Sequence, residues 1–254
     1  MIEGEEKRTI AIPMVSIIMP AYNVEKIIER SIKSVLRQSF TNFELIVIDD
    51  ASTDTTGQVV ESFSDDRVHY IRREINHYQQ YKEIGILDNP RNDGLRAARG
   101  EYISYLDADD MYRSSFLEIM TEFLEENPSV GLAYCDSIWF RQGRVANCDR
   151  PIDFDKELLR RRNIIGILEV MHRREIVDKV GFFNPMRTRY RHVEAGTSYY
   201  AGLEDWDYWF RVSEHFEIKH LPMVLADKIH KGFDFHWDKD FDPIRYLAEI
   251  KGAG

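Results

Sequence analysis

The chain has 254 residues, of which 43% are hydrophobic and 31% charged, so it is long enough to bury a sizeable core. Its formal net charge of -10 argues against nucleic acid as a partner, although a local basic patch remains compatible with it. No apolar run approaches the roughly 18–20 residues of a membrane span, and the charged start lacks the apolar centre of a signal peptide. The two cysteines, Cys135 and Cys148, do not imply a disulfide scaffold, and a cytoplasmic location is the simplest interpretation.

The first half of the chain alternates short apolar segments with helical patterns. Strands are predicted at 15–20, 43–50, 67–73 and 101–106. Helices are predicted between them at 24–39, 53–64 and 91–100, and Asn23 stands where the first helix would have its N-cap. This alternation is typical of an α/β fold with a Rossmann-like, mostly parallel central sheet and helices on both faces.

After residue 112 the pattern becomes mixed. The predicted elements are a helix at 114–128, a hairpin turning at 141–143, a strand and helix over 166–183, an aromatic helix at 203–216 and a strand at 217–230. Pro222 is expected to break the last of these strands. The stretch 184–202 has no clear period and is predicted to be a loop.

Carboxylates cluster where two of the predicted strands end. Asp49 and Asp50 end the second strand, and Asp107, Asp109 and Asp110 follow the fourth. Ligands of parallel α/β sheets bind beyond the carboxyl ends of the strands, and crowded acids favour a cation among them. Alternation along an extended segment places Asp107 and Asp109 on one side, where they could hold Mn²⁺ or Mg²⁺. Asp110 is expected instead to cap the following helix, and Asp49 to be structural.

Three stretches of the chain, taken in order, closely resemble the pattern of glycosyltransferase family 2. They are VSIIMPAYNVEKIIERSIKSVLRQSFTNFELIVIDDASTDTT (15–56), RNDGLRAARGEYISYLDADD (91–110) and GLED (202–205). The resemblance implies the GT-A fold, and transfer of a sugar from a nucleotide-diphosphate donor with inversion at the anomeric carbon. A UDP-sugar donor and a glycan or lipid-linked glycan acceptor are expected. The segments 73–90 and 184–202 are longer than the family usually needs.

The resemblance also implies a division of the chain. Residues 1–254 would form a single GT-A domain with a smaller mixed region on the acceptor side. Its nucleotide-sugar-binding half would span 14–112 and its acceptor-binding half 113–230, followed by a tail at 231–254.

On the donor side, the resemblance implies contacts to the nucleoside. Asp50 would accept a hydrogen bond from the imide N–H of uracil, and Pro20, Ala21 and Tyr22 would line the nucleoside pocket. Arg91 would lie near the donor sugar or its diphosphate. From the residues alone, Asp50 could equally form an Asx turn, Tyr22 could simply pack, and Arg91 could pair with a nearby acid.

The resemblance implies a metal site at the DAD stretch. Asp109 would be the direct ligand of Mn²⁺ or Mg²⁺, Asp107 would face the ribose or a metal-bound water, and Ala108 would contact the donor. Lys228 could neutralise phosphate charge, and His230 could be a further metal ligand or a diphosphate contact. A histidine near a strand end is more often structural or exposed.

On the acceptor side, the resemblance implies that Asp205 is the base that takes the proton of the attacking hydroxyl. Glu204 would orient the acceptor. Both acids would also be favourable in the first turn of a helix without any catalytic role. Trp206 is the candidate for stacking on an acceptor sugar, and the aromatic residues after it are expected to lie in the core.

Other functions fit the residues less well. A non-catalytic nucleotide-sugar-binding module would share the donor residues, whereas a sugar-1-phosphate nucleotidyltransferase would need a glycine-rich loop that the sequence PAYNVEK (20–26) lacks. A phosphatase of the haloacid dehalogenase type carries its DxD after the first strand, not the fourth. Basic clusters at 160–162 and 187–192 could hold an anionic acceptor or the lipid headgroups of the inner membrane face, although the first reads as a solvated face.

Overall fold

The computed structural model describes residues 12–77, 79–80, 89–141, 144–149, 152–184 and 204–229. The strands of this part of the chain are β1 (Val15–Ala21), β2 (Phe43–Asp49), β3 (Val68–Arg72), β4 (Tyr102–Tyr105), β5 (Met111–Tyr112), β6 (Val130–Arg141), β7 (Arg144–Asp149), β8 (Val170–Arg173) and β9 (Glu217–Ile229). They form one sheet in the order β3-β2-β1-β4-β8-β6-β9-β5, with β7 paired to β6.

The helices lie between these strands. They are α1 (Ile28–Leu36), α2 (Thr56–Glu61), α3 (Pro90–Ala97), α4 (Phe116–Glu126), α5 (Lys156–Leu159), α6 (Glu175–Val180) and α7 (Glu204–Ser213), with a 3-10 turn at Ile167–Glu169. No helix of the described residues is long and apolar enough to cross a membrane. Cys135 and Cys148 are both free thiols.

The first four strands confirm the predicted parallel arrangement. β1 pairs in parallel with both β2 and β4, and β2 pairs in parallel with β3. β1 and β2 are buried almost throughout, because helices cover both faces of the sheet. Ala21 lies opposite Asp49 at their ends, so the polar residues that follow β1 and β2 emerge side by side.

The direction of the later strands decides which residues reach that same edge. β8 runs antiparallel to β4, and β6 runs antiparallel to β8, so β6 points the same way as β4. β9 is parallel to β6. The carboxyl ends of β1, β2, β4, β6 and β9 therefore lie along one edge of the sheet, which we name the carboxyl edge.

Two local predictions are wrong. α1 begins at Ile28 rather than at residue 24, and Asn23 is not its cap: Asn23 has a φ of 51°, and its Oδ1 accepts the Thr53 N–H at 2.8 Å. Pro222 does not break β9. The β6–β9 register shifts between Cys135 and Asp136, so proline is accommodated at an irregularity of the ladder while the strand continues.

The position of α3 is fixed closely against the sheet. Its N-cap residue Asn89 accepts the Arg91 N–H through its side chain, and Pro90 occupies the first turn, where a missing N–H costs nothing. A Cβ at Gly94 would fall 2.4 Å from Ile18 Cγ2, so α3 packs on β1 at a distance that only glycine permits. The start of α3, which carries Arg91, therefore faces the carboxyl edge.

Candidate active site

Asp50 lies at the carboxyl edge directly after β2, and its backbone N–H donates to the Ala21 carbonyl at 2.9 Å. Its carboxylate is buried among donors from the segment that follows β3. Arg73 Nη1 lies 2.6 Å from Oδ1, Asn76 Nδ2 lies 2.7 Å from Oδ2, and His77 contacts the group through both its backbone N–H and its ring Nδ1. These donors fill the acceptor sites of the carboxylate, so a nucleobase N–H would have to replace one of them.

Asp49 has the structural role expected for it. Its carboxylate accepts hydrogen bonds from the Tyr70 hydroxyl and from Arg72 Nη1, each at 2.6 Å, and from the Ser52 N–H at 2.8 Å. The turn after β2 is thus closed by Asp49. Asp50 does not form the Asx turn that we considered for it, because its carboxylate accepts its hydrogen bonds from the segment after β3.

The residues expected to line the nucleoside pocket lie at the end of β1. Ala21 is buried, Pro20 is partly buried, and Tyr22 is 46% exposed. The exposed part of the Tyr22 ring is open to a ligand at the carboxyl edge. Beside it, Asn23 and Ala51 both adopt positive φ angles, which turn the chain sharply after β1 and after β2.

The DAD segment is anchored by its backbone and leaves two carboxylates accessible. Ser31 Oγ donates to the Ala108 carbonyl at 2.8 Å, and Arg30 Nη2 donates to the Asp109 carbonyl at 2.9 Å. The side chains of Asp107 and Asp109 are half-buried at the carboxyl edge. Carboxylate oxygens are the ligands that Mg²⁺ and Mn²⁺ prefer.

The donor set at this segment fits a divalent cation held jointly with substrate. The described residues contain no group of three His, Cys, Asp or Glu side chains arranged to bind a metal by themselves. Mg²⁺ commonly needs only one or two carboxylates, because substrate phosphates and water complete its shell. Asp107 and Asp109 supply those two carboxylates. His230 lies outside the residues that the structure describes.

Asp110 is not the cap of α4, so that prediction is wrong. Its Oδ1 accepts the Ile229 N–H at 2.8 Å, and α4 starts from Ser115 without a side-chain cap. Asp110 is only 9% exposed. Burial, together with the charges of Asp107 and Asp109, raises its pKa well above the usual range. This third acid therefore ties the DAD segment to β9 instead of facing the carboxyl edge.

Arg91 joins the two halves of the site. Its Nη2 lies 2.5 Å from Asp107 Oδ1, and its Nη1 lies 3.8 Å from Glu204 Oε1. Burial acts to lower the pKa of Arg91, but the charges of Asp107 and Glu204 outweigh that effect and raise it, so the group stays cationic. Glu204 Oε2 is buried without a hydrogen-bond partner among the described residues. Arg91 therefore does pair with nearby acids, which was the alternative that we considered from the sequence.

Asp205 has the properties of a general base. It lies in the first turn of α7, where its Oδ1 accepts the Trp206 N–H at 2.7 Å and its Oδ2 accepts Asn163 Nδ2 at 3.0 Å. Burial raises its pKa to about 6, and the charge of Glu204 acts in the same direction, while Arg91 and the hydrogen bonds oppose it. A general base works best when its pKa lies near the working pH. A large fraction of the carboxylate is then anionic, and its affinity for a proton is still high.

Two residues expected at the substrates have partners within the protein. The indole N–H of Trp206 donates to the Leu159 carbonyl and its ring packs against the core, an arrangement that favours a structural role. Lys228 Nζ lies 2.7 Å from Glu169 Oε1, in a pair whose carboxylate is buried. Of the aromatic residues after Trp206, Tyr208 and Trp209 are fully buried as expected, whereas Phe210 is only partly buried.

Sequence reasoning missed Asn163, Glu169 and the donors that surround Asp50. Asn163 and Glu169 lie in a stretch without periodicity, so no local signal distinguishes them. The only hint for the others was the unusual length of the segment after β3, where Arg73, Asn76 and His77 lie.

The raised pKa of Asp205 leads to a prediction about stability. Its folded-state pKa of about 6 exceeds that of an unfolded aspartate, so the protein loses stability as pH rises through this range. From about pH 5 to about pH 8, we expect Asp205→Asn to gain about 1–1.5 kcal/mol of unfolding free energy relative to wild type. Thermal denaturation of both proteins across this range measures the gain. A difference in melting temperature that does not change with pH would contradict the prediction.

Comparison with known proteins identifies the family. Residues 16–201 match the family model "Glycosyl transferase family 2", so the chain belongs to this family. The chain is also similar to a crystal structure of residues 1–349 of S. aureus TarS in complex with UDP-GlcNAc. Their TM-score is 0.66, with 19% identity over 93% of this chain and 64% of that one. This likeness shows the GT-A fold, and it confirms the fold class expected from the sequence.

The chain also resembles parts of two bacterial relatives in sequence. The chain is 39% identical over 118 residues to the uncharacterized glycosyltransferase EpsJ of Bacillus subtilis, covering 46% of this chain and 32% of that protein. It is 40% identical over 114 residues to the UDP-Glc:alpha-D-GlcNAc-diphosphoundecaprenol beta-1,3-glucosyltransferase WfgD of Escherichia coli, covering 45% of this chain and 42% of that protein. The matches thus span less than half of either relative. The chain's membership in a family of glycosyltransferases is the one expected from its sequence.

Proposed function

We propose that this protein transfers a sugar from a UDP-sugar to a hydroxyl group of a glycan or lipid-linked glycan, with inversion and with the help of Mn²⁺ or Mg²⁺. The observation that carries the proposal is the ionic bridge through Arg91, which brings Asp107 together with Glu204 and its neighbour Asp205. A donor-side acid and the candidate base thereby meet at one place on the carboxyl edge. The ligand of TarS and the donor and acceptor named for WfgD support this choice of substrates.

On the donor side, each residue has a distinct task. Asp50 receives the nucleobase N–H in exchange for one of its present donors, and Pro20, Ala21 and Tyr22 border the nucleoside. Asp109 would hold the metal ion directly, Asp107 would face the ribose or a metal-bound water, and Ala108 would contact the donor. When bound, such an ion offsets the charge that grows on the diphosphate as the sugar leaves. Arg91 adds a fixed positive charge beside it.

On the acceptor side, Asp205 removes the proton of the attacking hydroxyl. The hydroxyl oxygen forms the bond to the anomeric carbon while the bond to the diphosphate breaks on the opposite face, so the configuration inverts. One carboxylate is enough, because the leaving diphosphate does not need the protonation that a glycosidase must supply. Glu204 Oε2 lies ready to accept a hydrogen bond that orients the acceptor.

The remaining assignments follow from these substrates. We propose that residues 1–254 act as one domain, which the continuous sheet supports. Lys228 would help to neutralise phosphate charge through its electrostatic field, while its ammonium group pairs with Glu169. Binding of a lipid-linked acceptor would bring the protein into peripheral contact with the cytoplasmic face of the inner membrane. The basic cluster at 187–192 lies outside the described residues.

Calorimetric titration with UDP, in Mn²⁺ and in EDTA, tests the donor, and GDP and dTDP are titrated alongside. UDP-sugars are then offered with a panel of glycan acceptors, and the anomeric configuration of the product is determined by NMR. Failure of every nucleotide to bind would overturn the donor assignment. Tight nucleotide binding without transfer to any acceptor would favour a non-catalytic binding module, and release of pyrophosphate from a nucleoside triphosphate and a sugar phosphate would indicate a nucleotidyltransferase.

The bridge through Arg91 gives a prediction about stability. We expect Arg91→Ala to lower the free energy of unfolding by about 3 kcal/mol, because it leaves neighbouring carboxylates buried without their cation. Denaturation in urea measures this loss. Arg96→Ala is the matched control: Arg96 lies on the same helix and pairs with Asp93 in water, so its loss should cost no more than about 0.5 kcal/mol. Equal effects of the two substitutions would show that the bridge contributes nothing.

A further inference from the structure

Trp139 lies near the carboxyl end of β6, on the same edge of the sheet as Asp107. Its neighbours Ile138 and Phe140 are buried, whereas Trp139 is 42% exposed. More than half of the side chain is packed against the protein, while the rest of the indole ring is open to a ligand. Its place at the carboxyl edge suits a ligand contact.

A cation is held in a fixed position beside this ring. The register of β6 and β9 pairs Trp139 with Lys228, whose Nζ lies 5.3 Å from the centre of the indole ring. Glu169 fixes the ammonium from the other side, and this carboxylate is 1% exposed and also accepts Ser137 Oγ at 2.6 Å. An ammonium group has three N–H donors, so it can serve a buried carboxylate and a ligand hydroxyl together.

A short segment of the chain runs from this pair to a residue that holds the candidate base. A Cβ at Gly166 would fall 2.8 Å from Lys228 Nζ, so the chain passes very close to the ammonium at this point. Three residues earlier, Asn163 donates its hydrogen bond to Asp205. The short segment 163–166 therefore connects the surroundings of Trp139 to the candidate base.

The order of the strands places Trp139 on the acceptor side. In the sheet, β4 with Asp107 lies between β2, which leads into Asp50, and β6, which carries Trp139. A donor bound along the carboxyl edge from Asp50 to Asp107 would occupy the ends of β2, β1 and β4. The part of the edge near β6 would then remain for the acceptor. Aromatic faces and adjacent hydrogen-bond donors suit the C–H face and the hydroxyl groups of a pyranose ring.

We propose that Trp139 and Lys228 form a platform that binds a pyranose ring of the acceptor. The indole face packs against the C–H face of the sugar, and Lys228 donates a hydrogen bond to one of its hydroxyl groups. The assignment to the acceptor rests on the proposed function, whereas binding of a pyranose to this pair does not. Trp139 thus takes the stacking role that we expected of Trp206.

Intrinsic fluorescence tests the platform with simple sugars. The protein, saturated with UDP and Mn²⁺, is titrated with the methyl pyranosides of glucose, galactose, mannose and N-acetylglucosamine. We expect at least one glycoside to change the tryptophan emission of wild type, and Trp139→Phe to abolish this change. By calorimetry, Trp139→Ala should weaken binding of that glycoside by about tenfold, while Trp139→Tyr should retain most of the affinity.

Phe182→Ala is the matched control. Phe182 is 39% exposed and lies 5.0 Å from the Arg96 guanidinium, so it is an aromatic–cation pair of the same kind. It lies near the end of α3, where the chain turns into β4 at the opposite edge of the sheet. Its loss should therefore leave the response to glycosides unchanged.

The outcomes separate the platform from the proposed function. If UDP binds but no glycoside gives a change that depends on Trp139, the platform is overturned. If a UDP-sugar produces the change and free glycosides do not, the ring holds the donor sugar, and the acceptor assignment is wrong. If UDP fails to bind while a glycoside still acts through Trp139, the platform stands and the donor assignment falls.

Discussion

Replacement of Asp205 with asparagine is expected to lower kcat by about 10²–10⁴-fold, the usual contribution of a general base. The amide cannot accept the proton of the acceptor hydroxyl, but it keeps the size of the side chain and an oxygen for the Asn163 or Trp206 contact. The affinity for UDP should stay within about twofold, because the base acts only on the second substrate. Initial rates of UDP release, together with calorimetry, measure both quantities.

Asp207→Asn is the control for this experiment. Asp207 lies on the same helix, but it is largely exposed and pairs with Arg211 at 3.0 Å. Its loss should change kcat by no more than about twofold. In wild type, the rate should rise with pH through about 6, where Asp205 becomes anionic. An Asp205→Asn protein that keeps the wild-type rate would exclude this residue as the base.

Replacement of Asp109 with asparagine is expected to weaken UDP binding in Mn²⁺ by about 100-fold, the upper range for damage to a metal site. Without the carboxylate, the ion has one strong ligand fewer, so it no longer fastens the diphosphate to the protein. In EDTA, the variant and wild type should bind UDP equally. Calorimetric titrations under both conditions measure the difference.

Asp110→Asn is the matched control within the same segment. The amide keeps an oxygen that can accept the Ile229 N–H, so the tie between the DAD segment and β9 survives. Binding of UDP in Mn²⁺ should stay within about threefold of wild type, the size of a small local perturbation. If Asp109→Asn binds UDP as tightly as Asp110→Asn in Mn²⁺, then Asp109 has no part in holding the ion.

The parallel half of the fold could be predicted because its signals are local. β1 and β2 are continuous apolar runs, as expected for strands covered on both faces, and each ends in polar residues that mark the edge. Within this half, the exception was Asn23 as the cap of α1, and in the later half it was Pro222. Proline cannot donate a backbone hydrogen bond to a neighbouring strand, so it disfavours strand formation locally. The hydrogen bonds that the rest of β9 makes with β6 outweigh this loss.

The candidate site was only partly predictable, because its partners come from distant parts of the chain. Asp110 looked like a cap because a helix follows it, yet its hydrogen bond goes to Ile229, more than a hundred residues later. Trp206 and Trp139 could not be ranked, since the burial of an aromatic side chain depends on the tertiary fold. Motif order did indicate Asp107 and Asp205, and the bridge through Arg91 links Asp107 to Glu204, the residue next to Asp205.

The close packing at Gly94 has a consequence for how the two substrates are aligned. A methyl group there would push against Ile18, so the helix would have to lift away from β1, and Arg91 one turn earlier would move with it. Both substrates could still bind to their own residues, but their reacting atoms would no longer be aligned. A displacement of about 1 Å can slow a reaction on the order of 100-fold, even when it begins far from the reacting atoms. If the proposed function holds, the turnover rate therefore depends on Gly94 having no Cβ where α3 packs against β1.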